Sequence, residues 1–166
     1  MIILKNERDV EAMRAAGGVA SAVLQDICNW ITPSLTTKAV DDFAASRIKQ
    51  YGGRSAFLGY RKYPCHVCLS VNEQVVHGLA SDRRLDFGDI VSIDVGVVFQ
   101  GYIGDTARTV AVGGCDVLAQ KLIDVTEKAL YEGIARAVPG NRVVDISRAI
   151  QNYVESHDFT VVRDFV

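Results

Sequence analysis

The chain has 166 residues, of which 49% are hydrophobic and 23% charged, and a formal net charge of −2. That composition suits a globular chain with one sizeable core and excludes a disordered or fibrous one. The near-neutral balance, with Lys and Arg thinly spread, leaves no electrostatic footprint for a nucleic acid or an anionic membrane.

The N-terminus carries Lys5, Glu7, Arg8, Asp9 and Glu11 where a secretion signal needs an apolar run, so a cytoplasmic location without membrane attachment is expected. From Glu7 to about Ile31 the apolar residues Val10, Met13, Ala16, Ala20, Val23, Leu24 and Ile27 recur at helical spacing and stop before Pro33. Thr36 or Thr37 can cap a second helix, with Val40, Phe43, Ala44 and Ile48 as its buried stripe and Gly52 and Gly53 as its stop. Between Arg54 and Asp89, strands are expected at Cys68 to Val71 and Val75 to His77, separated by loop signals.

Ile90 to Phe99 and Tyr102 to Val112 are β-branched and aromatic runs joined at Gln100 and Gly101, where glycine supplies the positive φ of a tight hairpin. After Gly113 and Gly114, helical spacing returns through Val117, Leu118, Leu122, Val125, Ala129, Leu130 and Ile134 and ends at Pro139 and Gly140. A last helix is predicted from about Val143 to Ser156, and the start of a strand from Phe159 to Val166. A long helix, a proline-containing break and a shorter helix thus occur twice, at 7 to 51 and at 117 to 156.

The hairpin carries the chemistry. A turn centred on Gln100 and Gly101 sets Gly96 opposite Asp105 and puts Asp94 one diagonal step away on the same face, among the small residues Ser92, Gly96, Ala107 and Thr109. The other face, Val91, Ile93, Val95, Val97 and Phe99, is core. Two converging carboxylates repel unless a proton or a cation lies between them, which suits shared-proton catalysis or a hard divalent metal. The alternative is a wet sheet face with solvated aspartates. His77, before Gly78, can face a cleft from a strand end or serve as a hydrogen-bonded structural histidine. His157 reads as a favourable charge at a helix C-terminus. Cys65, His66 and Cys68 lack the further ligands of a structural zinc site, and the four cysteines read as reduced thiols.

The segments YPCHVCLSVNEQVVHG, FGDIVSIDVGV and GYIGDTARTVAVG resemble, in order and spacing, the type I methionine aminopeptidases of peptidase family M24, and the likeness runs over the whole chain. It implies an α+β architecture, the pita-bread (creatinase/aminopeptidase) fold of two pseudo-symmetric halves with antiparallel sheet. Residues 1–115 would form the first half, and 116–166 the start of the second, within one incomplete catalytic domain. Asp94 and Asp105 match metal ligands of a site holding two divalent ions (Co, Mn, Fe or Zn). His77 matches a catalytic histidine that contacts the substrate, and Phe57, Tyr60, Tyr63 and Cys68 match the methionine pocket. The implied activity is metal-assisted removal of the initiator methionine from nascent chains at the ribosome, with a glutamate moving the proton.

Lys62, His66 and Ala80 depart from the family pattern, two of them where small residues are usual and the third where proline is common. The family's third ligand, a histidine, would follow Val166, and its two glutamates would lie later still. The chain therefore reads as C-terminally truncated, with two ligands of five, inactive in isolation and prone to self-association through an exposed sheet edge. The competing reading is a non-enzymatic pita-bread module that binds peptides or proteins.

Overall fold

A computed structural model describes residues 3–163. The chain divides into two compact units, Met1–Cys115 and Asp116–Val166.

The first unit opens with helix α1 (Glu7–Trp30), started by a capping box in which the Asn6 side chain accepts from the Asp9 amide and Asp9 accepts from the Asn6 amide. Helix α2 (Thr37–Gln50) is capped by Thr36, whose Oγ accepts from the Ala39 amide at 3.0 Å. Thr37 is not the cap; its hydroxyl donates to the Ser81 carbonyl and ties the helix start to a distant loop.

Four antiparallel strands follow: β1 (Arg54–Ser55), β2 (Cys68–Val71), β3 (Ile90–Phe99) and β4 (Tyr102–Ala111). β4 pairs with β3 along its whole length, so β2, on residues 91–94, and β1, on 97–98, share the other edge of β3. The hairpin turn has positive φ at both Gln100 and Gly101, the type I′ geometry whose twist matches that of the flanking strands.

Val91, Ile93, Val95 and Val97 are wholly buried and meet Ala20, Val23, Leu24 and Ile27 of α1 and Val40, Ala44 and Ile48 of α2. Small residues let the layers close up. A Cβ on Gly104 would stand 2.2 Å from the Ala16 carbonyl oxygen, so glycine is what allows α1 to lie directly on β4.

The strand expected at Val75 to His77 is absent. Both valines are more than 40% exposed, so their β-branched side chains have no surface to pack on, and His77 takes a left-handed backbone (φ 58°) that breaks any ladder. The segment is nevertheless anchored, because Leu69 donates to the Gly78 carbonyl and the Gly78 amide donates to Ser70 Oγ. A one-turn 3₁₀ segment, Tyr60–Lys62, and the two-residue β1 were not anticipated.

The second unit is a packed helix pair, α3 (Val117–Ile134) capped by Asp116, and α4 (Val143–Glu155). Val125, Ala129 and Val154 are buried between them, with Ile150, Tyr153, Phe159 and Val161 packed around. His157 lies just past α4 with Nδ1 2.8 Å from the Tyr153 carbonyl. Of the strand expected from Phe159 to Val166, residues 159–163 have no regular structure and 164–166 lie outside the described residues.

Candidate metal centre

Asp94 and Asp105 come together because of the register of the β3–β4 hairpin. Gly96 pairs with Asp105, and Asp94 with Ala107 on β4 and with Cys68 on β2. Residues of one parity share a face. Ser92, Asp94 and Gly96 therefore lie with Cys68, Asp105, Ala107 and Thr109 on the side away from α1 and α2. The Ser92 and Thr109 hydroxyls close one end of this face by bonding to each other at 2.8 Å.

The electrostatics of the pair are those of a site with too much negative charge. Asp94 is pushed up to about 6, first by burial, then by the charge of Asp105 and a side-chain hydrogen bond to it, with the charge of His77 opposing the shift. A bond between two carboxyl groups requires a proton on one of them. Asp94 Oδ1 is buried and has no hydrogen-bond partner. An orphaned oxygen on a carboxylate that neighbours a second carboxylate is what a divalent cation would satisfy, and oxygen donors are the ligands hard divalent ions select. The donor set present thus fits a metal, although among the described residues no three His, Cys, Asp or Glu side chains converge on one point.

The walls are aromatic and soft. A Cβ on Gly96 would stand 2.4 Å from the Phe57 ring, so the ring lies directly over this glycine, beside Asp105. Tyr63 meets Phe57 edge to face, with ring centroids 6.4 Å apart, and its hydroxyl donates to the Gly78 carbonyl at 2.9 Å. Burial raises the Tyr63 hydroxyl well above its ordinary range, reinforced by Cys68. The Cys68 thiol is likewise raised, by burial first and by the charges of Asp94 and Asp105 among others, so it is a neutral, apolar wall of the site.

His77 is exposed and close enough for its charge to act on Asp94. Tyr60, by contrast, is 63% exposed with the Arg61 guanidinium 5.5 Å from its ring centroid, and it contributes nothing buried to the face. His66 turns to Asp41, its Nδ1 3.0 Å from Asp41 Oδ2.

Asp41 itself was missed. It is only 7% exposed, and Oδ1 accepts from the backbone amides of both His66 and Val67, at 2.8 and 2.9 Å. Its helical spacing from Thr37, Ala44 and Ile48 places it on the buried stripe of α2, and a carboxylate there demands partners. That was the available signal.

The profile of metallopeptidase family M24 matches residues 11–166. The methionine aminopeptidase of Clostridium acetobutylicum is 44% identical over 167 residues, which take in 100% of this chain and 67% of that protein. Methionine aminopeptidase 1 of Bacillus subtilis is 43% identical, with the same coverage. Among solved structures, the methionine aminopeptidase of Thermotoga maritima superposes with a TM-score of 0.96 at 40% identity, over 100% of this chain and 67% of that one. The chain spans about two thirds of the length of these relatives. Prolidase from Pyrococcus furiosus, at 20% identity and a TM-score of 0.82, shares the fold alone.

Proposed function

The chain belongs to metallopeptidase family M24, among its methionine aminopeptidases, and on that premise we propose that the hairpin of β3 and β4 is the carboxylate half of a two-metal site that removes N-terminal methionine from peptides. The observation that carries the reading is the buried, unpartnered Oδ1 of Asp94, in a carboxyl group that also lies beside Asp105. Asp94 would hold one divalent ion and Asp105 would bridge two, drawn from Co, Mn, Fe or Zn.

When bound, such ions polarise the scissile carbonyl and lower the pKa of water. Phe57, Tyr63 and Cys68 would offer an unbranched thioether side chain an aromatic and polarisable wall. The neutral thiol and the unionised phenol keep further negative charge out of a site already overloaded with it. His77, which precedes the Gly78 that is bonded to β2, would donate to the peptide near its scissile amide. Nascent chains at the ribosome, in the cytoplasm, are the substrates this chemistry suits. Exposed Leu118, Leu130, Tyr131, Ile134 and Val143 on α3 and α4 also favour self-association of the isolated chain.

The test is a chimera in which the C-terminal third of the Clostridium acetobutylicum relative is appended to this chain. With Mn²⁺ or Co²⁺ it should release methionine from Met-Ala-Ser, and the Asp94→Ala, Asp105→Ala form should not, while the 166-residue chain alone stays inactive. A folded chimera that binds metal without cleaving the peptide would contradict the proposal.

A further inference from the structure

We propose that Asp41, on α2 and remote in sequence from the carboxylate pair, is the positioning residue for the wall of the site. Its Oδ1 fastens the chain at His66 and Val67 so that Cys68 enters β2 opposite Asp94. Three observations converge on this. The carboxylate is buried and accepts two consecutive backbone amides, a geometry that dictates the course of the main chain and not merely the place of one side chain. The turn it grips is held from a second direction by Ser55, whose hydroxyl donates to the His66 carbonyl at 2.7 Å and accepts from the amides of Phe57 and Leu58. Immediately downstream the chain forms the pair Cys68 with Asp94, and immediately upstream it carries Tyr63, whose hydroxyl reaches Gly78.

One small cluster therefore ties together Phe57, Tyr63 and Cys68, three of the groups around the carboxylates. The hydrogen bonds of Asp41 go to His66 and Val67 and not to either aspartate of the pair. Asp41 acts through the loop, and the ring of His66 covers its second oxygen. A buried carboxylate at this place in α2 is costly unless the bonds it makes are the purpose of its being there. The inference rests on the reading of Cys68 and Tyr63 as pocket wall.

The experiment is site-resolved thiol labelling of the folded chain with a small disulfide reagent, read by mass spectrometry at Cys28, Cys65 and Cys68. It needs neither metal nor substrate, so its outcome is independent of whether the chimera cleaves a peptide. Cys65 and Cys68 are both buried, and Cys28, on α1, reports loosening elsewhere in the same unit. Asp41→Ala should speed labelling of Cys65 and Cys68 on the order of tenfold or more, as local opening becomes easier, and leave Cys28 unchanged.

Asp41→Asn should restore slow labelling, because its amide oxygen can still accept both backbone amides while its nitrogen donates to the other tautomer of His66. His66→Ala should label like the unmodified chain. If Asp41→Ala does not fold, Asp41→Ser, whose hydroxyl is too short to reach both amides, repeats the comparison. Equal acceleration at all three cysteines, no acceleration at Cys65 and Cys68, or an Asn variant as reactive as the Ala variant would each overturn the proposal.

Discussion

Replacing Asp94 with asparagine in the metal-free chain should stabilise it at neutral pH and flatten its pH dependence. The carboxyl titrates at about 6 in the folded chain against 3.8 for an unperturbed group. One pH unit corresponds to about 1.4 kcal/mol, so keeping Asp94 ionised in the fold costs at most about 3 kcal/mol. Asp94 is only partly buried, and screening by solvent brings a realistic figure to roughly 1–2 kcal/mol.

The sign follows from linkage. A folded-state pKa above the unfolded one favours the protonated fold, so this contribution is fully present below pH 3.8 and is lost as the pH rises through about 6. Urea unfolding with a chelator at pH 4, 5, 6 and 7.5 is the assay, read as the difference between the unmodified chain and Asp94→Asn. That difference cancels the opposite contributions of Asp9 and Asp89, whose carboxyls are held below their ordinary value. The variant should be the more stable at pH 7.5, with the gap closing towards pH 4. A variant less stable than the unmodified chain at pH 7.5 without metal, or a gap independent of pH, would refute the reasoning.

Two further outcomes test how the site is carried. Gly104→Ala forces a methyl group to within 2.2 Å of the Ala16 carbonyl oxygen, so it should cost roughly 2–4 kcal/mol in urea unfolding as α1 is pushed off β4. Ile93→Ala, at a wholly buried position on the core face of β3, should cost about 2–5 kcal/mol without altering the Asp94-linked pH dependence, since it leaves the opposite face in register.

The hairpin was legible from sequence for definable reasons. Residues 91–97 alternate strictly between core and site, and a two-residue turn with glycine in second place leaves little freedom of register, so the pairing of Gly96 with Asp105 followed from counting. Helices α1 and α2 announced themselves by spacing and by Pro33 and the Gly52–Gly53 stop. Val75 to His77 misled because strand propensity measures fit to a half-buried surface, and no such surface is there. β1 has two residues and exists only through its pairing with Val97 and Val98, which nothing local encodes. The grip of Asp41 on residues 25 and 26 positions away is also a tertiary fact, visible in the sequence only as a charge on an apolar stripe. The roles expected of Asp94, Asp105 and His77 rest on resemblance. Geometry alone supplies the overcharged face on which the two carboxylates meet.

Whether the Asp94–Asp105 face takes up a divalent metal can be measured by isothermal titration of the purified chain with Mn²⁺ or Co²⁺ at pH 7.5, beside the Asp94→Ala, Asp105→Ala variant. Saturable binding is expected, abolished in the double variant and weakening as the pH falls through about 6, where a proton competes for Asp94. Binding that survives the double substitution, or none at all in a chain shown by circular dichroism to be folded, would contradict a metal-binding role for the pair.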